Sequence, residues 1–312
     1  MPNPRFTILL PVVKTRFFQK ALDSALAQSF EDYEVVILDN KADADISGVA
    51  ESPRVRYLKN ATQLLPATNW NKGIEASRGE FILLLSDDDE LEPDCLREID
   101  AFLEKHKNEL DVIRILRSEF WEGGEITSYS CPGRDVETVD EYIYYQFRYY
   151  RGQALSDFVF RRSAAQAIGG FREVAASLCS DKILFAGLAS LRNKVGNLNK
   201  VLLRYRWHGA NYTLVPRRDL YIDSLRSDFA FFQYSEQVLE KCSGPFRNLA
   251  IAVNKANYQI RQKTHYADAL SFQGLLGLRR LYWATPPSFV SRRRCLLSAF
   301  GTYFRRKITG RY

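Results

Sequence analysis

The segment Phe81–Asp89 constrains the fold more than any other part of the chain, because five apolar residues and a serine lead directly into three aspartates. A short continuous apolar run is typical of a strand buried on both faces, as in a parallel sheet. The carboxylates are therefore expected at the carboxyl end of this strand, where open α/β sheets bind ligands. Because adjacent carboxylates need a counter-charge and oxygen ligands suit hard cations, the pattern predicts a Mg²⁺ or Mn²⁺ site. The alternative is a solvated acidic turn.

The remaining periodicity predicts strands that alternate with helices, and hence an α/β fold with a doubly wound, mainly parallel sheet. The predicted strands cover 6–10, 33–38, 55–58, 81–85, 111–116 and 158–160. The predicted helices cover 17–26, 68–77, 93–106 and 163–168. Pro11 is expected to close the first strand. From about residue 220 the pattern is helical, and a boundary is predicted near 213–218.

The composition and the missing motifs exclude several classes of protein. The five cysteines are scattered without C-x-x-C pairs, so neither a zinc site nor a disulfide framework is indicated, and a reduced cytoplasmic protein is expected. No stretch has the 18 or so apolar residues of a transmembrane helix, and the N-terminus does not resemble a signal peptide. The dinucleotide fingerprint and the P-loop are absent, which argues against a dinucleotide oxidoreductase and a P-loop enzyme.

The basic character of the protein belongs to its C-terminal tail. Of the 44 Lys and Arg residues, nine follow residue 278, which leaves 35 to balance all 37 Asp and Glu residues. Apolar residues between 290 and 308 recur on one helical stripe, namely Leu296, Leu297, Phe300, Tyr303, Phe304 and Ile308. A cationic amphipathic helix of this kind predicts binding to an anionic membrane surface. The alternatives are docking on the rest of the chain and nucleic-acid binding, and no nucleic-acid fold signature supports the latter.

A segment with five tyrosines, 142–150, leaves two interpretations open. Aromatic faces stack on sugar rings, so the segment is expected either to line a sugar-binding wall or to form the buried face of a helix.

The order of four motifs resembles a family 2 glycosyltransferase of the GT-A fold. These motifs are Pro11 at a strand end, Asp39-Asn40 at the next, the run Asn69–Gly73, and Ser86–Asp89. Further matches are Arg161-Arg162, Gly169–Arg172, Ser180-Asp181 and Tyr205–His208. The resemblance covers roughly residues 5–212. It implies a catalytic domain over 1–215 and a helical C-terminal region over 216–312, in an enzyme of bacterial surface-polysaccharide type.

The resemblance implies a nucleotide-sugar site with roles for several named residues. Pro11, Val12 and Asp39 match positions that hold the nucleotide base and ribose. Asn69 and Lys72 match a helix start that faces the nucleotide. Alternatively, Asp39 caps a helix or turn, and Lys72 is simply an exposed lysine.

The resemblance also implies the catalytic and metal-binding residues. Asp87 matches a carboxylate that meets the ribose or the metal, and Asp88 matches the next one, which binds the metal. His208 matches a histidine that reaches the metal or the diphosphate, although a lone histidine is also commonly structural. Asp181 matches the general base of inverting members, and it is also placed to cap a helix. Asp89 is expected to support these ligands or to cap the following helix.

The activity implied is transfer of a sugar from a nucleoside diphosphate sugar to a glycan or lipid-linked glycan, with Mg²⁺ or Mn²⁺, at the cytoplasmic face of a membrane. Ser86 and Ser180 stand where relatives often carry acids, which favours one alternative, a non-catalytic nucleotide-sugar-binding protein on a degenerate scaffold. A second alternative, a sugar-phosphate nucleotidyltransferase, would need a glycine-rich loop after the first strand. Residues 11–15 contain no glycine.

Overall fold

A computed structural model describes residues 3–48, 52–122, 124–148, 151–209, 211 and 221–262. The strands are β1 (Phe6–Val12), β2 (Tyr33–Asp39), β3 (Val55–Lys59), β4 (Phe81–Leu84), β5 (Glu90–Leu91), β6 (Val112–Trp121), β7 (Ile126–Tyr129), β8 (Val136–Glu137), β9 (Phe158–Arg161) and β10 (Val195–Trp207). The helices are α1 (Phe18–Leu26), α2 (Pro66–Ala76), α3 (Cys95–Lys105), α4 (Val139–Arg148), α5 (Arg162–Ala167), α6 (Ser180–Arg192), α7 (Tyr221–Glu240) and α8, which is described over 247–262.

The strands form one sheet, in the order β3-β2-β1-β4-β9-β6-β10-β5, with β7 beside β6 and β8 beside β10. Strands β1 to β4, β6 and β10 all run in one direction. The prediction of a mainly parallel α/β sheet is therefore confirmed, with β9 inserted antiparallel between β4 and β6. The prediction that Pro11 closes the first strand is wrong, because β1 continues to Val12, which lies opposite Asp39.

Both faces of the sheet are covered, which explains the continuous apolar runs. Alternate residues of β1 point to opposite faces, so Ile8 belongs to a buried cluster with α1 and α3, whereas Leu9 belongs to a second cluster with α2, α4 and α6. Helices α7 and α8 contribute Val238, Leu239 and Ala250 to the second cluster. The C-terminal helices thus pack directly on the helices that cover the sheet.

Strand β10 was not expected from the sequence. It has 13 residues, and its pairing with β6 shifts register between Leu198 and Leu203. Polar residues at 197, 199 and 200 interrupt the alternation that would have marked a strand. Its carboxyl end brings Arg206 and His208 to the edge of the sheet where β1, β2 and β4 also end.

Several predictions concern residues outside the described ranges. The boundary near 213–218 and the basic tail beyond residue 278 are among them. In the described part of 142–150, Tyr142 is buried and Tyr144 and Tyr145 contact Phe246, which favours the buried helix face over a sugar-binding wall. No helix within the described ranges combines the length and the apolar character needed to cross a membrane.

Candidate functional site

Asp87 fastens the acidic loop after β4 to the end of β1. Its Oδ2 accepts hydrogen bonds from the backbone amides of Val13 and Lys14, each at 2.9 Å. Burial raises the pKa of Asp87 to about 6, although these two amides favour the ionised form. One oxygen of this carboxylate is therefore engaged by the protein backbone, and the loop is not a solvated acidic turn.

Asp88 lies at the centre of a polar cluster built from the end of β10. Its Oδ2 is 3.0 Å from Nε2 of His208, and it accepts a hydrogen bond from the side-chain amide of Asn211 at 3.2 Å. The His208 side chain is buried, and its ring lies 5.0 Å from that of Phe17. Nε of Arg206 donates to the backbone oxygen of Asp88 at 3.1 Å. The structure thus brings together the two predicted metal-binding residues, which are 120 positions apart.

Asn211 was missed by the sequence interpretation. It accepts a hydrogen bond from the backbone amide of His208 at 2.5 Å, and it also donates to Asp88. The sequence could have indicated Asn211 by its position, because it lies three residues after the predicted histidine and can bond within the same turn.

Asp89 supports the loop from inside the protein. It is 1% exposed, and it accepts hydrogen bonds from the backbone amide of Arg206 at 3.1 Å and from the hydroxyl of Ser156 at 2.9 Å. Burial, with a smaller contribution from the charge of Asp88, raises the pKa of Asp89 well above its usual range. Ser156, which no sequence motif indicated, also accepts a hydrogen bond from the amide of Ser86 at 3.1 Å.

Asp39 ends β2 with both carboxylate oxygens engaged. Oδ1 accepts from the amide of Ala42 at 2.8 Å, as in a turn cap, and Oδ2 accepts from the hydroxyl of Tyr57 at 2.5 Å. Burial alone would raise the pKa of Asp39, but these bonds and the charge of Lys59 outweigh it, so the pKa lies below its usual range. Asp39 is therefore an ionised acceptor at the end of β2. Pro11 and Val12 end the neighbouring strand, and Val12 is buried.

Asn69 and Lys72 belong to one hydrogen-bonded group beside Asp39. Asn60 donates to the side-chain oxygens of Asn69 at 2.7 Å and Asn40 at 3.1 Å. Nζ of Lys72 donates to Asn60 at 3.1 Å, and the Lys72 side chain is exposed. Asn69 is only 1% exposed, so its observed contact is structural, and its contact with a nucleotide stays a prediction.

Asp181 lies in the first turn of α6, as predicted. Its Oδ2 accepts a hydrogen bond from the side-chain amide of Gln153 at 3.3 Å. Burial raises the pKa of Asp181, and the opposing effects of Lys182 and of this amide are smaller. Gln153 precedes Ser156 by three residues, so their Cα atoms are at most about 11 Å apart. The short segment 153–157 therefore joins Asp181 to the acidic loop.

The donor set of the Asp88 cluster fits a divalent cation. Two ligands at right angles on an octahedral ion, each at about 2.1 Å, are about 3.0 Å apart. The observed distance of 3.0 Å between Asp88 and His208 suits a shared metal as well as a hydrogen bond. Among the residues that the structure describes, no group of three His, Cys, Asp or Glu side chains could hold an ion by itself. Substrate oxygens and water would have to complete the coordination.

Comparisons with known proteins concern the family and the fold. The model of the family "Glycosyl transferase family 2" matches residues 9–169, just over half of the chain. The GalNAc(5)-diNAcBac-PP-undecaprenol beta-1,3-glucosyltransferase of Campylobacter jejuni is 30% identical over 95 residues, which are 28% of this chain and 31% of that protein. The chain thus spans less than a third of the length of that relative.

Two solved structures share the fold. The crystal structure of S. aureus TarS in complex with UDP-GlcNAc superposes with a TM-score of 0.67 and 15% identity, covering 99% of this chain and 93% of that one. The mannosyltransferase PcManGT from Pyrobaculum calidifontis, in complex with GDP-Man and Mn²⁺, superposes with a TM-score of 0.54 and 15% identity, covering 97% of this chain and 88% of that one.

Proposed function

The chain belongs to glycosyl transferase family 2 and has the GT-A fold, and from this premise we propose that it is a metal-dependent, inverting glycosyltransferase. Its donor is a nucleoside diphosphate sugar, and its acceptor is a glycan or a lipid-linked glycan in surface-polysaccharide synthesis. The observation that carries the proposal is the Asp88–His208 pair, which the segment 153–157 connects with Asp181.

Asp88 and His208 are the residues that would hold Mg²⁺ or Mn²⁺, and PcManGT is a neighbour of the same fold with Mn²⁺. When bound, the cation neutralises the negative charge that grows on the diphosphate leaving group. Asn211 and Arg206 keep the Asp88 carboxylate and its loop in place. Asp87 acts on the same loop by binding the backbone at the end of β1.

Asp181 acts as the general base. A partly buried carboxylate with a raised pKa is a stronger proton acceptor than one in water, and general base catalysis typically supplies about 10²–10⁴-fold. Gln153 orients this carboxylate through its Oδ2, and the acceptor hydroxyl is proposed to donate its proton to the same group. One displacement assisted by one base inverts the anomeric configuration.

The nucleotide is proposed to bind along the ends of β1 and β2. Pro11 and the backbone of Val12, whose side chain is buried, form the wall at the base. Asp39 accepts from the ribose hydroxyls, and Lys72 offsets diphosphate charge. TarS has been crystallised with UDP-GlcNAc, and the C. jejuni relative is named for an undecaprenol-linked acceptor. A peripheral position on the cytoplasmic face of the membrane would bring a lipid-linked acceptor to this site.

Donor turnover tests the proposal. The protein is incubated with UDP-GlcNAc, UDP-glucose and GDP-mannose, each with Mn²⁺ or with EDTA, and nucleoside diphosphate release is measured. We expect slow hydrolysis of at least one donor with Mn²⁺ and none with EDTA. Binding without release would favour the non-catalytic alternative. Formation of nucleoside triphosphate from donor and pyrophosphate would instead identify a nucleotidyltransferase.

A further inference from the structure

Two tryptophans form an aromatic pair at the edge of the sheet, beside the proposed site. Trp121 ends β6 and Trp207 ends β10, and the two residues lie opposite each other in the parallel register. Their ring centroids are 6.3 Å apart, with 30° between the planes. Trp121 is 50% exposed, although burial of such a large side chain would be favourable. This indole pair is therefore an apolar surface that the described part of the chain leaves open.

One member of the indole pair, Trp207, is held in a fixed orientation by neighbouring side chains. Nε1 of Trp207 donates to Glu119 at 3.0 Å, and Glu119 is in turn bound by Arg117 at 2.7 Å and by Ser128 at 2.9 Å. The ring of Tyr205 meets that of Trp207 edge to face, with 5.0 Å between centroids. Because these contacts already restrict the Trp207 ring, little conformational entropy remains to be lost when a ligand stacks on it.

The indole pair is connected to both halves of the proposed site. Trp207 immediately precedes His208 in the chain. On the other side, Arg117 forms a buried ion pair with Asp157, at the end of the segment whose Gln153 bonds Asp181. The indole pair therefore lies at the same carboxyl edge of the sheet as His208, and hydrogen bonds and ion pairs connect it with the segment that bonds Asp181.

Charged residues follow the indole pair in the chain. Glu122 follows Trp121 and forms an ion pair with Arg16 at 2.7 Å, with both side chains exposed. A flat apolar surface with charged groups at its margin suits a pyranose ring, which presents C–H bonds on its faces and hydroxyl groups around its edge.

We propose that Trp121 and Trp207 form an acceptor subsite, on which a pyranose ring of the glycan acceptor stacks. The inference rests on the proposed function and adds the residues that select a sugar ring as the acceptor. The sequence suggested a sugar-binding wall in the tyrosine-rich segment 142–150. The proposal assigns that role to the indole pair instead.

Saturation-transfer NMR with cellobiose and N,N′-diacetylchitobiose tests this subsite on the full-length protein. Irradiation of the aromatic protons should transfer saturation to the ring protons of at least one disaccharide. Trp121→Ala should raise the Kd at least about tenfold, because half of the stacking surface is removed. Trp121→Phe should recover most of the affinity. Tyr129→Ala is the matched control, because Tyr129 is 61% exposed on the adjacent strand β7 and lies outside the indole pair.

A second measurement does not depend on any variant. The indole N–H signals of the ¹⁵N-labelled wild-type protein should shift when the disaccharide that binds is added. Absence of saturation transfer in the wild type, unchanged affinity in Trp121→Ala, or unshifted indole signals would each overturn the subsite. The thermal shift with UDP or GDP and Mn²⁺ is recorded in parallel. Its absence in the wild type contradicts the proposed donor site, whether or not a disaccharide binds to the indole pair.

Discussion

At Asp88, one carboxylate meets an imidazole and an amide that arrive from a distant part of the chain. Asp87 and Asp89 are its sequence neighbours, yet both are engaged by the protein, one by backbone amides at the end of β1 and one by Ser156. Three identical residues in a row therefore have three different environments. Asp88 alone of the three contacts His208 among the hydrogen bonds of the described residues.

Replacing Asp88 by Ala should abolish metal-dependent nucleotide binding. In the wild type, UDP or GDP should raise the melting temperature only with Mg²⁺ or Mn²⁺, because the diphosphate and the ion complete each other's coordination. In the variant this stabilisation should disappear, and donor hydrolysis should fall about 100-fold or more. Asp94→Ala is the control, since Asp94 is an acid five residues after the loop, with a side chain that is 48% exposed. A metal-independent thermal shift that persists in Asp88→Ala would contradict the assignment.

Replacing Asp181 by Asn should separate catalysis from binding. The amide keeps the shape of the side chain but accepts no proton at neutral pH, so transfer to an acceptor should fall by about 10²–10⁴-fold. The affinity for the nucleoside diphosphate should stay within a few-fold, because Asp181 is proposed to face the acceptor. Steady-state kinetics and calorimetric titration measure the two quantities. Near-normal turnover would place the base elsewhere.

The pH dependence of stability gives an independent test of Asp181. Burial raises the pKa of this carboxyl in the folded protein, so the protonated form stabilises the fold. This contribution to the free energy of unfolding is fully present below the unfolded pKa, and it is lost as pH rises through the folded pKa. Asp181→Asn avoids that loss. Its melting temperature should therefore exceed that of the wild type at pH 7.5, and the difference should vanish below about pH 4. A variant less stable than the wild type at pH 7.5 would contradict this account.

At the scale of elements, the segment 153–157 holds several residues of the proposed site in place. It holds Asp89 and Ser86 through Ser156, it holds Asp181 through Gln153, and its Asp157 pairs with Arg117 beneath the indole pair. Donor binding, acceptor binding and proton transfer are thus proposed to depend on one stretch of five residues.

Replacing Ser156 by Ala should destabilise the protein. The substitution leaves the buried Asp89 without one hydrogen-bond donor and the amide of Ser86 without an acceptor, which costs about 1–3 kcal/mol for such groups. Urea denaturation measures the free energy of unfolding. Ser163→Ala is the control, since Ser163 is exposed in α5, and it should change this free energy by less than about 0.5 kcal/mol. Equal stability of the two variants would show that the Ser156 hydroxyl contributes little.

At the scale of the whole molecule, charge is distributed unevenly along the chain. The body is nearly neutral, whereas the last 34 residues, which lie outside the described ranges, carry nine basic residues and no acid. All site residues named above precede residue 212. We expect the tail to bind an anionic membrane and the catalytic cleft to be independent of it.

Truncation before Pro286 should separate these two properties. The full-length protein should bind phosphatidylglycerol vesicles at low salt and release them as salt is raised, because charges are screened over about 10 Å at 0.1 M. The truncated protein should bind the vesicles poorly and retain the nucleotide-dependent thermal shift. Vesicle sedimentation measures the binding, and neutral phosphatidylcholine vesicles are the control. Failure of the full-length protein to bind at low salt would indicate that the tail is a packed structural helix.

The sequence alone predicted β1, β2, β3, β4, β6, β9 and the acidic loop, because apolar runs and their polar ends are local patterns. Through the family resemblance it also indicated Asp88, Asp181 and His208. It did not reveal β10 or the antiparallel direction of β9, because strand pairing depends on contacts between distant residues. The roles of Ser156 and Asn211, and the meeting of Trp121 with Trp207, were likewise decided only by the tertiary structure. None of these residues stands out in the sequence, because its partner is 67 to 123 positions away and comes into contact only in the folded sheet.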